Sequence, residues 1–151
     1  MIEFTIETEI ARPPEEVFAF ATDPALLPRW QTNTVSALPL DDGPLRVGSR
    51  IREVHRAPGG KEMESVVEVE ELRPGHVFAL RMVEGALPLD ARLTFESVAA
   101  GTRLHFRVHG QPTGIARLAQ PLLRSTLRRQ FERNCAELKR QLETGAGPAR
   151  A

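Results

Sequence analysis

Apolar and polar residues alternate along the first ten positions of the chain. Ile2, Phe4, Ile6 and Ile10 stand at even positions, and the odd positions 3, 5, 7 and 9 carry glutamate or threonine. A period of two is typical of a strand with one buried face. We therefore predict a strand over residues 2–11, ended by the prolines that follow.

Two short helices are predicted next. Pro14 precedes two glutamates, which suits a first helical turn because proline lacks only an N–H that has no helical partner there. Asp23 can cap a second helix that starts at Pro24 and ends near Trp30.

In residues 35–110, segments in which apolar and polar residues alternate are separated by turn residues. Because the gaps are short, we expect antiparallel hairpins in sequence order. The predicted strands are Val35–Leu40, Val47–Ala57, Lys61–Arg73, His76–Glu84, Pro88–Val98 and Thr102–His109. The Pro58-Gly59-Gly60 turn separates the second and third of these.

The last predicted element is a helix of about eight turns over residues 113–143. Its apolar positions recur every three to five residues: Ile115, Leu118, Leu122, Leu127, Phe131, Cys135, Leu138 and Leu142. Pro121 stands inside this pattern and predicts a kink or a break. We expect the helix to cover the apolar side of the sheet and residues 144–151 to form a frayed tail.

Several local motifs resemble a known superfamily. They are Pro13-Pro14-Glu15-Glu16-Val17-Phe18 with Asp23-Pro24 and Leu27-Pro28-Arg29-Trp30, Val47-Gly48-Ser49-Arg50, Val69 through Arg73-Pro74, Gly101-Thr102-Arg103-Leu104, and Gln120-Pro121-Leu122-Leu123 through Arg128-Arg129-Gln130-Phe131. With the order of elements, they resemble the START/Bet v 1-like (SRPBCC) superfamily, in particular its bacterial polyketide cyclase/dehydrase and lipid-transport branch. The resemblance implies one α+β helix-grip domain over residues 1–143. It consists of a seven-stranded curved antiparallel sheet around a long C-terminal helix, with two short helices after the first strand.

Composition narrows the function classes. The net charge is zero, so the chain as a whole has no basic field for nucleic acid, and we expect no nucleic-acid partner. No apolar run reaches the roughly 18 residues of a membrane span, and the first residues lack a signal peptide, which favours a cytoplasmic protein without stable membrane insertion. The single cysteine, Cys135, is expected to be a small buried helix residue.

The resemblance also implies a cavity between the sheet and the last helix. Alternation predicts an apolar wall for this cavity. Its methionines would let the wall adapt to more than one ligand. The predicted wall residues are Ile51, Met63, Val67, Phe78, Leu80, Met82, Leu89, Ala91, Leu93 and Leu118. Trp30 either caps the core or gates the cavity, beside Gln31 and Asn33.

Three polar residues fall on this predicted inner face. If Ile51 points inward, Glu53 and His55 do so too, and Ser65 follows on the next strand. A buried carboxylate needs a partner, so the Glu53–His55 pair could act as a general base or orient a ligand hydroxyl. A β-bulge or a solvated position at the edge of the cavity would instead leave both outside.

Stronger catalytic motifs are missing, and we expect no metal and no cofactor. His55, His76, His105 and His109 show no metal-ligand spacing, and no phosphate loop is present. Binding of a small hydrophobic or amphipathic molecule, such as a lipid, isoprenoid or polyketide-like compound, by a carrier or sensor is the favoured interpretation. The alternatives are an aromatase/cyclase-type enzyme and a protein-interaction domain. The ligand and the oligomeric state stay open.

Overall fold

A computed structural model describes residues 1–57, 59–112 and 118–145. A first strand is followed by a helical segment, six more strands and one long helix. The elements are β1 (Ile2–Ile10), α1 (Pro14–Thr22), a 3₁₀ turn (Pro24–Leu26), α2 (Leu27–Trp30), β2 (Thr34–Pro39), β3 (Arg50–Arg56), β4 (Glu62–Arg73), β5 (Val77–Glu84), β6 (Leu89–Val98), β7 (Gly101–Gly110) and α3 (Gln120–Glu143).

The seven strands form one sheet in the order β1-β7-β6-β5-β4-β3-β2. Every neighbouring pair is antiparallel, and the β1–β7 pair joins strands that are distant in sequence. The curved sheet, the C-terminal helix and the short helices after the first strand confirm the predicted helix-grip fold.

The helical segment after β1 starts and ends as the sequence predicts. Pro14 occupies the first turn of α1. The Asp23 side chain accepts a hydrogen bond from the backbone N–H of Ala25 at 3.0 Å, which caps the 3₁₀ turn. The short helix α2 follows directly and ends at Trp30.

Strand β3 starts later than its alternation suggests. The alternation predicts a start at Val47, but that residue is exposed, and Gly48 adopts a left-handed backbone with φ of +93°. In this conformation, the Gly48 N–H donates to the carbonyl of Val69 at 2.8 Å. The turn ends there, and the strand begins at Arg50.

Strand β1 shows how the two faces of the sheet differ. Ile2, Phe4 and Ile6 are buried, whereas Glu3 and Glu9 on the other face are not. The outer face is exposed to solvent and carries a network of ion pairs: Glu3–Arg107, Glu9–Arg103, Arg50–Glu68, Arg81–Glu68 and Arg92–Glu71. Exposed pairs of this kind contribute little stability each, so the fold depends on the inner face.

The inner core is rich in aromatic contacts. Phe131 of α3 packs against Phe4 and Phe106, with ring centroids 5.8 and 5.2 Å apart. Phe18 of α1 meets Phe95 edge to face at 5.2 Å. These rings join α1 and α3 to strands β1, β6 and β7.

The long helix begins later than predicted. It starts at Gln120 with Pro121 in its first turn, so no interior N–H is lost, and the predicted kink or break at Pro121 takes the form of the start of the helix. Leu118 precedes the helix and is 87% exposed, which overturns its assignment to the buried wall. The predicted helical residues 113–117, including Ile115 and Arg117, lie outside the described residues, as do Pro58 and residues 146–151 of the predicted tail.

Helix α3 is held along β1 by side chains at both of its ends. Arg124 Nε donates to the carbonyl of Glu3 at 3.2 Å, and Lys139 Nζ donates to the carbonyl of Glu9 at 2.6 Å. The Glu143 carboxylate accepts from the Ala11 N–H at 2.8 Å. The helix therefore lies toward one side of the sheet, and space is left over the strands on the other side.

Candidate ligand-binding cavity

A cavity of about 400 Å³ lies between α3 and the inner face of the sheet. This volume is within the range of about 300–1,000 Å³ that small-molecule sites usually have. Side chains from β3, β4, β5, β6 and β7 line it together with residues of α1, α2 and α3. The cavity lies over the part of the inner sheet face that α3 leaves uncovered.

The wall of the cavity is mostly apolar. Its buried inner part is formed by Ala21, Leu27, Val67, Phe78, Leu93 and Phe106. The lining residues that are themselves exposed mark its opening, here called the mouth: Arg56, Met63, Glu64, Ala86, Thr126 and Arg133. The mouth therefore lies between the β3–β4 hairpin, the β5–β6 turn and the middle of α3.

All but two of the residues assigned to the site from the sequence line this cavity. Those that line it are Trp30, Glu53, His55, Met63, Ser65, Val67, Phe78, Leu80, Met82, Leu89, Ala91 and Leu93. Ile51 is buried at 1% exposure but does not border the cavity, although its partner on β4, Val67, does. Leu118 does not border it either.

Glu53 and His55 form a close polar pair on the wall. His55 Nε2 lies 2.9 Å from Glu53 Oε1. The side chain of Glu53 is 8% exposed and that of His55 is 27% exposed, so the carboxylate lies deeper than the imidazole. The β3–β4 register is regular over these residues, and no bulge turns them outward.

The pair continues to the loop between α2 and β2. His55 Nδ1 lies 3.2 Å from Thr34 Oγ1, and Thr34 Oγ1 lies 3.0 Å from Gln31 Oε1. A threonine hydroxyl carries one proton, so it donates either to Gln31 or to His55. A chain of hydrogen-bonding groups thus joins Gln31 on the cavity wall to the buried carboxylate of Glu53.

Two further polar atoms of the wall are buried without a partner in the described part of the chain. They are Ser65 Oγ and Trp30 Nε1. Trp30 is 1% exposed and meets Phe106 edge to face at 6.3 Å. Trp30 therefore forms part of the inner wall. Its burial does not fit the alternative interpretation, in which it gates the mouth of the cavity.

Residues of α3 that sequence reasoning did not assign to the site complete the wall. They are Thr126, Leu127, Gln130, Phe131, Arg133 and Asn134. Asn134 Oδ1 accepts from the Thr32 N–H at 3.0 Å and from Gln130 Nε2 at 2.9 Å, which fixes the 31–34 loop against the helix. The helical spacing of Leu127 and Phe131 is visible in the sequence. The sequence does not show which part of the helix lies next to the cavity.

Cys135 lies outside the cavity and is buried at 1% exposure. Burial in the core raises the pKa of its thiol to about 12. The thiol is therefore protonated at neutral pH and is not a nucleophile, as the sequence predicts.

Residues 1–57, 59–112 and 118–145 contain no group of three or more His, Cys, Asp or Glu side chains arranged to hold a metal ion. No helix in those ranges combines the length and the apolar character needed to span a bilayer.

Comparisons with known proteins agree on the fold. TTHA0849 from Thermus thermophilus is 21% identical with a TM-score of 0.82, and the match covers 95% of this chain and 99% of that one. DR_A0006 from Deinococcus radiodurans is 21% identical with a TM-score of 0.70, covering 96% and 99%. Ara h 8.0201, a Bet v 1-like protein, is 13% identical with a TM-score of 0.71, covering 94% and 97%.

At these identities the structural likeness shows the fold alone, and no curated protein matches the sequence. The family described as "Polyketide cyclase / dehydrase and lipid transport" matches residues 1–143. The chain therefore belongs to the polyketide cyclase/dehydrase and lipid transport family, within the START/Bet v 1-like (SRPBCC) superfamily.

Proposed function

We propose that the protein binds a small hydrophobic or amphipathic molecule, such as a lipid, isoprenoid or polyketide-like compound, and acts as its carrier or sensor. The observation that carries this proposal is the cavity of about 400 Å³ with a mostly apolar inner wall and an open mouth. Transfer of an apolar ligand from water into this cavity is favourable, because its apolar surface leaves water.

The shape of the wall supports a ligand that is held without covalent chemistry. Met63 and Met82 border the cavity, and unbranched thioether side chains adapt to ligands of different outline. Glu53, His55 and Ser65 lie together on the neighbouring strands β3 and β4, so they would orient one end of a mainly apolar molecule.

Native mass spectrometry of the protein purified from its own host tests the proposal directly. A co-purified apolar molecule with a defined mass is the expected result. Its release under mild denaturation and rebinding to the refolded protein would show specific association. A protein that carries no molecule and binds no apolar dye would contradict the proposal.

An aromatase/cyclase-type enzyme is the second candidate, favoured by the Glu53–His55 contact of 2.9 Å inside the cavity. In that case Glu53 would remove a proton from a polyketide-like chain and His55 would orient the carboxylate. Replacing either residue with an isosteric neutral side chain would then lower turnover by about 10²–10⁴. Unchanged turnover in both Glu53→Gln and His55→Gln would exclude them as the acid–base pair.

A further inference from the structure

Two oxygen atoms on the wall of the cavity have unused hydrogen-bonding capacity. Ser65 is 6% exposed, and its Oγ is buried with no partner among the described residues. Glu53 is equally buried, and His55 is the partner that the described part of the chain supplies, at Oε1. That contact occupies one acceptor position of the carboxylate. A carboxylate can accept several hydrogen bonds, so most of its capacity is free.

These two residues are direct neighbours across the sheet. Glu53 of β3 and Ser65 of β4 are paired in the antiparallel register, so their side chains leave the same face. Directly opposed residues have Cβ atoms about 4.5–5.5 Å apart, which leaves room for one small polar group to reach both. Both side chains border the cavity.

The free capacity of the pair suits a group that both donates and accepts a hydrogen bond. A carboxylate only accepts, while a serine hydroxyl can donate. A group that donates one hydrogen bond and accepts another would satisfy both residues, and an alcohol or phenol hydroxyl does this. Resting on the proposed function, we infer that the ligand carries a hydroxyl that donates to Glu53 and accepts from Ser65.

The same arrangement disfavours other end groups. A ligand carboxylate has no proton to donate when it is ionised, and it would place negative charge against Glu53. An ether accepts from Ser65 but leaves Glu53 without a donor. A hydrocarbon displaces water from both residues and replaces none of its hydrogen bonds.

Three straight-chain probes separate these possibilities. 1-Decanol and 1-methoxynonane are isomers that differ in the hydroxyl proton, and decanoate carries the anionic end group. Trp30, the single tryptophan of the chain, lines the cavity and reports binding through its fluorescence. Isothermal titration calorimetry gives the dissociation constants independently.

A hydrogen bond to a charged group sets the size of the expected preference. We expect decanol to bind about 10- to 100-fold more tightly than the ether. Decanoate should bind more weakly than decanol. In Glu53→Gln, the preference for decanol over the ether should shrink and decanoate should gain affinity, because the negative charge is gone.

Ser65→Ala provides a second variant that makes a smaller change to the wall. It should weaken decanol binding by about 2- to 10-fold, which is the loss of one neutral hydrogen bond. The control is Glu70→Gln, which changes the same side chain on the outer side of β4 and should leave all three dissociation constants unchanged. Circular dichroism and urea unfolding verify that each variant is folded.

The outcomes distinguish the inference from the function on which it rests. If no probe binds the wild-type protein, the ligand-binding proposal fails and the hydroxyl inference fails with it. If the ether or decanoate binds as tightly as decanol, ligand binding stands and the hydroxyl inference is wrong. Equal preferences in the wild-type protein, Glu53→Gln and Ser65→Ala would also overturn it.

Discussion

Glu53 and His55 lie two positions apart on the inward face of β3, with His55 Nε2 2.9 Å from Glu53 Oε1. Residues i and i+2 of a strand share a face, so the contact requires only that this part of β3 be free of bulges. His55 also spans the distance from Glu53 to Thr34 on the neighbouring strand. The imidazole is therefore the partner that makes a buried carboxylate tolerable on an apolar wall.

Removing that partner should destabilise the protein. His55→Ala leaves the Glu53 carboxylate buried without its imidazole partner, and we expect the free energy of unfolding to fall by about 1–3 kcal/mol. Urea unfolding monitored by circular dichroism measures the change. The matched control is His105→Ala, which removes an exposed contact with Glu96 on the outer face and should cost less. Equal losses in the two variants would show that Glu53 does not depend on His55.

Filling the cavity should separate binding from folding. Leu93 is 3% exposed and borders the cavity, so the indole of Leu93→Trp can extend into space that is already open. We expect a loss of stability below the about 1–3 kcal/mol of overpacking in a closed core, and a loss of dye affinity of at least about tenfold. Fluorescence titration and urea unfolding give the two numbers. Unchanged dye binding would mean that the ligand does not occupy this space.

The position of Pro121 in the first turn of α3 predicts a small effect of its removal. Pro121→Ala should change the free energy of unfolding by less than about 1 kcal/mol, because the missing N–H has no partner in the helix there. Ala136→Pro places the same ring in the helix interior and should cost about 3 kcal/mol or more. A large loss in Pro121→Ala would contradict the observed start of the helix.

Burial of Cys135 predicts both its reactivity and a pH dependence. The pKa of the thiol is raised from 9.0 to about 12, so it should not react with a disulfide reagent at about pH 8 until the protein unfolds. The unfolded thiol ionises first as the pH rises, and Cys135 therefore favours the folded state fully below about pH 9. This contribution is lost progressively between about pH 9 and 12.

Stopped-flow labelling in native buffer and in urea measures the reactivity. Urea unfolding at about pH 8 and about pH 10 measures the pH dependence, with Cys135→Ala as the control that should lose less stability between the two pH values. Rapid labelling of the native protein would show that the thiol is accessible.

Local alternation is enough to predict the strands and most of the cavity wall. Glu53, His55 and Ser65 can be assigned to the inner face because they share the parity of Ile51, Met63 and Val67. Alternation offers no means to tell that Ile51 lies beyond the end of the cavity, because parity specifies a face and not a depth. That limit applies to every strand of the sheet.

The helical side of the site is harder to predict. Apolar periodicity does not say where α3 begins, and it assigns Leu118 to the wall in place of Leu127 and Phe131. The contact of Asn134 with Thr32 joins residues 102 positions apart, and no local pattern reports such a pair. Both features depend on how the helix docks against β1.

That docking divides the molecule into two parts with different tolerance to substitution. The buried core cluster draws on β1, β7, α1 and the second half of α3, whereas β3 contributes none of its described members. Substitutions in β3 therefore leave that cluster untouched, although Ile51, Val66 and Val67 are themselves buried. Relatives with this docking could diverge in what they recognise, through substitutions near Glu53 and Ser65, while the remainder of the chain keeps its shape.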